Sequence, residues 1–348
     1  MYRSTRRLFV AAASLVLAAS FGVTGTSATA QEVTLKLHQF LPAQANVPKY
    51  VLDVWADKVE KESGGRIKIE RYPSMQLGGK PPELIDQAID GVADIIWTVS
   101  GYTPGRFPTT EVFELPFMMT NAEATSHAYW DMFEKHMKDG EMKDFHVIGV
   151  WVHGPGLIHS KTPVNKLEDL NGLKLRAPTR VTNQMFGKLG ATPVGMPVPA
   201  VPEALSKGVI DATVIPWEVT AALKVAELVG NHTDFGNESL YTTTFIFAMN
   251  KAKYDSLPDD LKKVIDDNSG AELSAWAGKT MQEYDAPAKE IAVKRGNNII
   301  TLPPEEVARW KDASQPVIDE WVAEMDGKGM DGKGLLEEAR SLIAGYTK

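Results

Sequence analysis

Apolar and polar residues follow the periods of strands and helices along most of the chain. Residues 33–40 predict a strand, and residues 47–59 then carry apolar side chains at helical spacing. A second strand starts near Ile67, residues 82–90 predict a short helix, and the apolar run 93–99 predicts a buried strand. This β-α-β-α-β order predicts an α/β fold, in which helices cover both faces of a sheet.

A second set of strands and helices follows the first. It comprises strands at 146–153, 173–176 and 209–214, helices at 181–189 and 202–207, and a further strand at 242–249. A chain of 348 residues exceeds what one hydrophobic core usually covers, so two lobes are expected.

A long helical pattern comes next. It opens at Leu257-Pro258 and continues to Gly296, and we expect Pro287 to kink the helix rather than end it. At about 1.5 Å per residue such a helix is about 50 Å long, so it should lie along both lobes. Residues 303–325 and 333–345 predict two further amphipathic helices, joined by a flexible glycine-rich segment.

The first 30 residues have the features of a cleaved export signal. Three arginines accompany an apolar run of about 16 residues, shorter than the roughly 20 that span a bilayer, and small residues at 28–30 suit a cleavage site. We therefore predict a periplasmic mature protein that begins near Gln31 and is not inserted in the membrane. Residues 5–10 (TRRLFV) resemble the twin-arginine export motif, although an ordinary Sec signal with adjacent arginines fits equally well.

Composition and charge exclude several classes of function. The chain has no cysteine, which excludes disulfide bonds, thiolate metal sites and a cysteine nucleophile. The charged residues of the export signal are all arginines, so the rest of the chain carries 34 basic against 45 acidic side chains. This surplus of negative charge repels nucleic acids and anionic lipids, and we expect no nucleic-acid partner.

A search for reaction centres finds none in the sequence. The seven histidines form no His-x-x-x-His or His-Glu-x-x-His pair, and no Gly-x-Ser-x-Gly or phosphate-loop motif occurs. Gly154-Pro155-Gly156 starts like a dinucleotide-binding loop but lacks the third glycine, so we interpret it as a bend after a strand. These observations predict a protein that is not an enzyme and that holds no cofactor and no metal.

Three of the eight tryptophans are candidates for a ligand pocket. Trp97, Trp151 and Trp217 lie at or just beyond the ends of predicted strands, and ligands of open α/β sheets bind outside such ends. Packing in the core remains the alternative for each of them. Four others fall on apolar helical stripes, which is typical of packing residues: Trp55, Trp276, Trp310 and Trp321.

Several segments resemble one family of transport proteins. They are residues 171–178 (NGLKLRAP), 189–193 (LGATP), 203–211 (EALSKGVID), 72–78 (YPSMQLG) and 114–117 (ELPF), together with Leu257-Pro258 at the start of the long helix. As a set they are similar to the DctP-type substrate-binding proteins of tripartite ATP-independent periplasmic (TRAP) transporters. The resemblance implies a protein that binds a small carboxylate between two closing lobes and delivers it to the membrane subunits of a TRAP permease.

The resemblance and the order of elements together predict a two-lobed periplasmic binding protein fold. The ligand cleft lies between the lobes, and the long helix spans both. We expect residues 1–30 to be the export signal. The first lobe then comprises 31–153 and 242–281, the second comprises 154–241 and 282–310, and residues 311–348 form C-terminal helices that pack on the lobes.

The resemblance also points to Arg176 as the residue that holds the carboxylate, because it is the arginine of a Leu-Arg-x-Pro element. The chemistry supports this role independently, since a guanidinium binds a carboxylate through two parallel hydrogen bonds and stays charged when buried. A surface or interlobe salt bridge is the alternative role for this arginine.

Other positions differ from relatives that bind sugar acids. Those relatives carry polar anchors at five positions that are here Phe40, Val99, Gly156, Val198 and Ile215, and in some of them a second arginine replaces the glycine. A cavity with one cation and apolar walls leaves sugar hydroxyls unpaired, at about 1–3 kcal/mol each. We therefore expect a hydrophobic monocarboxylate, an aromatic acid first and a branched aliphatic 2-oxo acid second, with His153 and Tyr241 as further polar contacts.

Three other functions also suit a two-lobed α/β protein. They are the binding protein of an ABC importer, a periplasmic receptor that senses a ligand, and a periplasmic enzyme. The Leu-Arg-x-Pro element and the long helix argue against the first. The missing reaction centre argues against the enzyme.

Overall fold

The computed structural model describes residues 32–347, in which two α/β lobes are each built on one β-sheet. This arrangement confirms the predicted α/β class and the two lobes. The export signal, its cleavage site and the export route concern residues outside this range. The described range contains eleven strands: β1 (Val33–Gln39), β2 (Ile67–Tyr72), β3 (Ile95–Val99), β4 (Phe145–Val152), β5 (Leu157–Ser160), β6 (Lys174–Ala177), β7 (Thr192–Gly195), β8 (Ala212–Ile215), β9 (Asn231–Asp234), β10 (Thr244–Asn250) and β11 (Asn298–Thr301).

The strand order is β2-β1-β3-β10-β4 in the first sheet and β11-β9-β5-β8-β6-β7 in the second. In the first sheet β1 runs parallel to β2 and β3, and β10 is antiparallel to β3 and β4. In the second sheet β6 is parallel to β7 and β8, and β5 is antiparallel to β8 and β9. The chain therefore leaves the first lobe after β4 and returns to it at β10.

Burial of the strands explains their sequence patterns. All residues of β3 and of β10 are buried, which accounts for their mostly apolar sequences. In β2, by contrast, Ile67 and Ile69 are buried and Lys68 between them is exposed. The central strands of the first lobe thus lie between two layers of helices.

The helices cover both sheets and connect the lobes. Residues 32–347 contain thirteen α-helices: α1 (Asp53–Glu62), α2 (Leu84–Ile89), α3 (Ala122–Met132), α4 (Arg180–Lys188), α5 (Val201–Ser206), α6 (Trp217–Leu223), α7 (Val225–Leu228), α8 (Lys251–Asp255), α9 (Asp259–Asp267), α10 (Ala271–Glu283), α11 (Asp285–Lys294), α12 (Pro304–Gly327) and α13 (Gly332–Tyr346).

Two helices, α10 and α11, form the helix that spans the lobes. Only Tyr284 separates them; α10 packs on α3 and β4 of the first lobe, and α11 packs on α6 of the second. The prediction of a helix along both lobes is therefore confirmed. Its kink lies at Tyr284 rather than at Pro287, because a proline ring meets the carbonyl four residues earlier and disturbs the turn that precedes it.

The predicted start of this helix at Leu257-Pro258 is wrong, because residues 268–270 interrupt it and leave α9 as a separate helix. Tertiary hydrogen bonds hold the interruption. The indole Nε1 of Trp55 donates to the Asn268 carbonyl at 2.8 Å, and the Gly270 amide donates to the Ile148 carbonyl at 2.9 Å. Gly270 also has φ of +105°, which no helical residue adopts.

The segment between the C-terminal helices is shorter and more ordered than predicted. Only residues 328–331 separate α12 from α13, and the carboxylates of Asp326 and Asp331 accept hydrogen bonds from the amides of Gly332 and Gly334. A Cβ at Gly332 would lie 2.5 Å from the Val322 carbonyl oxygen. The expectation of a flexible linker is therefore wrong, since these glycines permit a tight turn. Across this turn α12 packs on α4 and α13 packs on α3.

Candidate ligand-binding site

A cavity lies between the two sheets, and segments of both lobes form its wall. The free volume inside it is about 40 Å³, so its walls lie close together. Most of the wall is apolar, and its side chains include Phe40, Trp97, Val99, Val198, Ile215 and Phe245. A cavity of this composition suits a small, largely apolar ligand.

Arg176 is the positively charged residue of the cavity wall. It lies on β6, between β7 and β8, and only 1% of it is exposed. Its Nε donates to the Met196 carbonyl at 2.9 Å and its Nη1 donates to the Val214 carbonyl at 3.1 Å. No hydrogen bond from Nη2 to any residue of 32–347 occurs.

The Arg176 guanidinium is therefore held by neutral carbonyl groups and pairs with no carboxylate in the described part of the chain. The salt-bridge alternative has no support in these contacts. A buried cation without a counter-charge is unfavourable, and a ligand carboxylate at Nη2 would supply both the charge and the missing hydrogen bond.

Two further hydrogen-bond donors in the cavity wall have no partner within residues 32–347. They are the hydroxyl of Tyr241 and the indole Nε1 of Trp97, both fully buried. An unpaired buried donor costs about 1–3 kcal/mol. These donors, like Nη2, favour a ligand that brings acceptor oxygens.

His153 is neutral and its ring orientation is fixed. Burial lowers the pKa of His153 to about 4. Its Nδ1 donates to the Gly154 carbonyl at 2.5 Å, and the Thr242 hydroxyl lies 3.2 Å from the same nitrogen. Its other nitrogen, Nε2, is then an acceptor.

Stacked aromatic rings form one side of the cavity. Trp97 lies between Phe40 and Phe245, with ring centroids at 4.8 and 5.0 Å, and all three rings are nearly parallel. Tyr102 contacts Phe40 edge-on at 5.7 Å. Parallel and edge-on contacts of this kind make a rigid wall against which a further ring can pack.

Direct contacts join the two lobes around the cavity. The Tyr102 hydroxyl of the first lobe accepts a hydrogen bond from the Val198 amide of the second at 2.9 Å. Arg180 on α4 pairs with Glu111 of the first lobe, where Nε and Oε1 are 3.0 Å apart, and also with Glu324 on α12 at 2.7 Å. The structure is therefore that of the closed protein.

Replacing Arg180 by glutamine should weaken ligand binding although the residue does not line the cavity. The pair with Glu111 joins the lobes, so we expect its loss to destabilise the closed state more than an open one. Arg180 is partly exposed, which limits the pair to about 1 kcal/mol, and we expect affinity to fall by about three- to tenfold in calorimetric titration.

The matched control is Arg309→Gln, which removes an equally salt-bridged arginine whose partners, Glu168 and Glu306, do not belong to the first sheet or its helices. Unchanged affinity in Arg180→Gln, or an equal loss in the control, would show that the Arg180 pair does not stabilise closure.

The structure brings eight of the eleven predicted site residues together in the wall of the cavity. These are Phe40, Trp97, Val99, His153, Arg176, Val198, Ile215 and Tyr241. They come from seven separate parts of the chain, and their contact with a ligand remains a prediction.

Three of the predicted residues do not line the cavity. Trp151 is fully buried behind Trp97, with ring centroids 6.4 Å apart, because it lies on β4 at the far side of β10. Trp217 turns away from the cavity at the start of α6 and packs on His159 and His232 at 5.0 and 4.8 Å. Core packing, the alternative stated for tryptophans, describes both.

Gly156 also lies outside the wall, and it makes room for Tyr241. A Cβ at Gly156 would lie 2.1 Å from Cε1 of that ring, and the Gly156 amide donates to the Tyr241 carbonyl at 2.9 Å. A larger side chain at this position, including the arginine of some relatives, does not fit while the tyrosine is in place.

Several cavity residues carried no recognisable signal in the sequence. Tyr102 lies in a short turn after β3, Phe245 lies on β10, and Glu218 is the second residue of α6. Phe245 follows a strand pattern and faces the same layer as Trp97, so strand pairing would have been needed to find it. Glu218 is one of 45 acidic residues and stands in no motif.

Two further properties concern only residues 32–347. No group of three or more His, Asp or Glu side chains is placed to hold a metal ion there. None of the helices in this range combines the length and apolar character needed to cross a bilayer.

The fold and the closed interlobe cavity define a two-lobed ligand-binding protein. A sequence model of one such group, the bacterial extracellular solute-binding proteins of family 7 (DctP), matches residues 38–325. The chain therefore belongs to the DctP family, which confirms the resemblance found in its sequence.

Solved structures and a curated relative agree with this assignment. The chain is 52% identical to a TRAP solute-binding protein from Rhodoferax ferrireducens, crystallised with copurified benzoate, with a TM-score of 0.89 over 90% of this chain and 98% of that one. It is 49% identical to a marine metagenome TRAP protein specific for aromatic acids, in complex with 3-hydroxybenzoate, with a TM-score of 0.89 over 91% and 100%. The C4-dicarboxylate-binding periplasmic protein DctP of Rhodobacter capsulatus is 27% identical over 75% of this chain and 78% of its own.

Proposed function

We propose that this protein captures an aromatic monocarboxylate in the periplasm and delivers it to a TRAP permease, without altering it chemically. The observation that carries the proposal is the free Nη2 of buried Arg176 in a cavity whose other walls are mostly apolar. One cation matches one carboxylate, and the stacked rings beside it match an aromatic ring.

The energetics favour an aromatic acid over a more polar one. A ring that buries about 150 Å² contributes about 3–4 kcal/mol, before the costs of ordering the ligand are subtracted. A second carboxylate would meet no second arginine, since Arg176 is the only arginine or lysine in the described cavity wall. Sugar hydroxyls would meet Val99, Val198 and Ile215, which offer no side-chain hydrogen bond.

Two similar proteins support the ligand class. The Rhodoferax protein retained benzoate through purification, and the marine protein binds 3-hydroxybenzoate. Both share about half of their residues with this chain. Membership of the DctP family supports delivery to a TRAP permease and a periplasmic location.

A thermal-shift panel on the mature protein tests the ligand class. Benzoate should raise the melting temperature most, 4-methyl-2-oxopentanoate less, and succinate and a sialic-type sugar acid least, because stabilisation grows with ligand concentration relative to Kd. Benzamide is the control ligand, since it keeps the ring and loses the charge, and it should give no shift at the same concentration.

A larger shift with succinate or the sugar acid would contradict an apolar, singly charged site. A larger shift with the 2-oxo acid would replace the aromatic acid by the branched aliphatic one. Mass spectrometry of the ligand after incubation checks the absence of catalysis, and a turnover product that survives repurification of the protein would overturn it.

A further inference from the structure

One cavity residue does not fit a simple anion site. Glu218 presents a carboxyl group to a cavity proposed to bind a carboxylate, and only 5% of this residue is exposed. An ionised glutamate here would repel the ligand. The surroundings of Glu218 explain how its carboxyl group can lie in an anion-binding cavity.

The contacts of Glu218 leave one of its oxygens free. Its backbone amide donates to Oδ1 of Asp285 at 2.8 Å, which fixes the start of α6 against the start of α11. Asn46 of the first lobe faces the carboxyl group. The other oxygen, Oε2, is buried and has no hydrogen-bond partner among residues 32–347.

Glu218 is uncharged at neutral pH. Burial, reinforced by the neighbouring Asp285 carboxylate and opposed by Asn46, raises the pKa of Glu218 to about 8. A protonated carboxyl group does not repel the ligand's charge, and it can both accept and donate a hydrogen bond.

Arg176 and Glu218 reach the cavity wall from different elements, β6 and the start of α6. Burial raises the pKa of Tyr102 and of Tyr241, and the Arg176 charge opposes the rise in both. The same charge helps burial to lower the pKa of His153. The pKa of Glu218 responds to Asp285 and Asn46 instead.

We propose that Glu218 is a specificity-determining residue that binds a hydroxyl group on the ligand's ring, so that the preferred ligands are aromatic monocarboxylates hydroxylated at the 3 or 4 position. This inference rests on the proposed function. With the carboxylate at Arg176, a 3- or 4-hydroxyl points away from the guanidinium, and Glu218 Oε2 is an unpaired oxygen in the wall of the same cavity. A 2-hydroxyl lies beside the carboxylate and bonds to it internally.

Calorimetric titration of the mature protein at pH 7 with benzoate and its three hydroxy isomers tests the proposal. We expect 3- or 4-hydroxybenzoate to bind about tenfold more tightly than benzoate, because the hydroxyl satisfies a buried polar atom that benzoate leaves unpaired. 2-Hydroxybenzoate should not share this gain. The 3- and 4-fluorobenzoates fill similar space without a hydroxyl and should bind like benzoate.

Two variants locate the effect at Glu218. In Glu218→Leu the preference for the hydroxylated acid over benzoate should fall to about one, whereas Glu218→Gln keeps an oxygen and an N–H in place and should retain most of it. Glu306→Gln is the matched control. Its carboxyl group is also buried but accepts from Trp310 outside the cavity, and the preference should not change.

The outcomes separate this proposal from the proposed function. If the unmodified protein binds benzoate but shows no preference for a 3- or 4-hydroxyl, Glu218 does not bind a hydroxyl group on the ring. The same holds if Glu218→Leu keeps the preference. If Glu218→Leu does not fold, equal binding of hydroxy- and fluorobenzoates by the unmodified protein still refutes the proposal. If no aromatic acid binds, the proposed function fails, and this inference fails with it.

Discussion

Replacing Arg176 by alanine should weaken binding of the preferred aromatic acid by about thirty to a few thousand fold. Truncating one partner of a buried, hydrogen-bonded charge pair costs about 2–5 kcal/mol, much of it for leaving the other charge unpaired. The guanidinium is 1% exposed and its neighbours are carbonyl groups, so no other cation in the described wall replaces it. Calorimetric titration of both proteins with the same acid measures the loss.

Arg176→Lys separates charge from geometry. An ammonium group keeps the charge but cannot form two parallel bonds to a carboxylate, so it should restore only part of the affinity. Arg309→Ala, on the surface, controls for the general loss of an arginine. Affinity within threefold of the original in Arg176→Ala would mean that the ligand's carboxylate is held elsewhere.

Replacing Gly156 by alanine should disrupt the site through Tyr241. The new Cβ would lie 2.1 Å from Cε1 and 2.6 Å from Cζ of the tyrosine ring, so the ring must move. Overpacking of this kind costs about 1–3 kcal/mol of stability, and a displaced wall residue should lower affinity by about tenfold or more. Chemical denaturation and titration with benzoate measure the two effects.

A double variant tests whether the clash with Tyr241 causes the loss of stability and affinity. With Tyr241→Leu in place, adding Gly156→Ala should cost much less, because contacting residues are not additive. Gly230→Ala is the control, since no heavy atom lies within 4 Å of its Cβ, and it should change stability by no more than about 0.5 kcal/mol. Equal costs of Gly156→Ala with and without the tyrosine would disprove the clash.

The sequence was sufficient for the longer strands and for two short ones, β6 and β8, but insufficient for the other short strands. Strands β1, β3, β4 and β10 have five to eight residues, and their apolar runs or alternation were recognisable. Strands β7, β9 and β11 have four residues each, and four positions show neither period. Pairing with strands far along the chain determines where these short strands begin and end. A local sequence pattern carries no information about that pairing.

The start of the long helix was predicted wrongly for the same reason. The apolar spacing from Leu261 to Ile291 passes through residues 268–270 without a visible break. The break depends on hydrogen bonds to Trp55 and Ile148, which lie more than 100 residues earlier. Only Gly270 was a local hint, because a glycine inside a helical pattern lowers its stability.

Parts of the candidate ligand-binding site were predictable where the chemistry of a residue points to one role. Arg176 stood in a family element, and Val99, Val198 and Ile215 lie with it in the cavity wall, while their contact with a ligand stays a prediction. Trp217 was placed at the end of a strand, but the helix that begins there turns its ring toward His159 and His232. That turn depends on α6 packing against α11, which the sequence does not specify locally.

The bond between the Tyr102 hydroxyl and the Val198 amide has a kinetic consequence. The bond joins the lobes beside the cavity, so we expect lobe separation, which breaks it, to limit the rate at which a ligand leaves. Changes at such interlobe contacts should therefore act on the dissociation rate more than on the association rate. Any membrane partner that receives the ligand must then lower the barrier to opening, rather than compete with Arg176 for the bound acid.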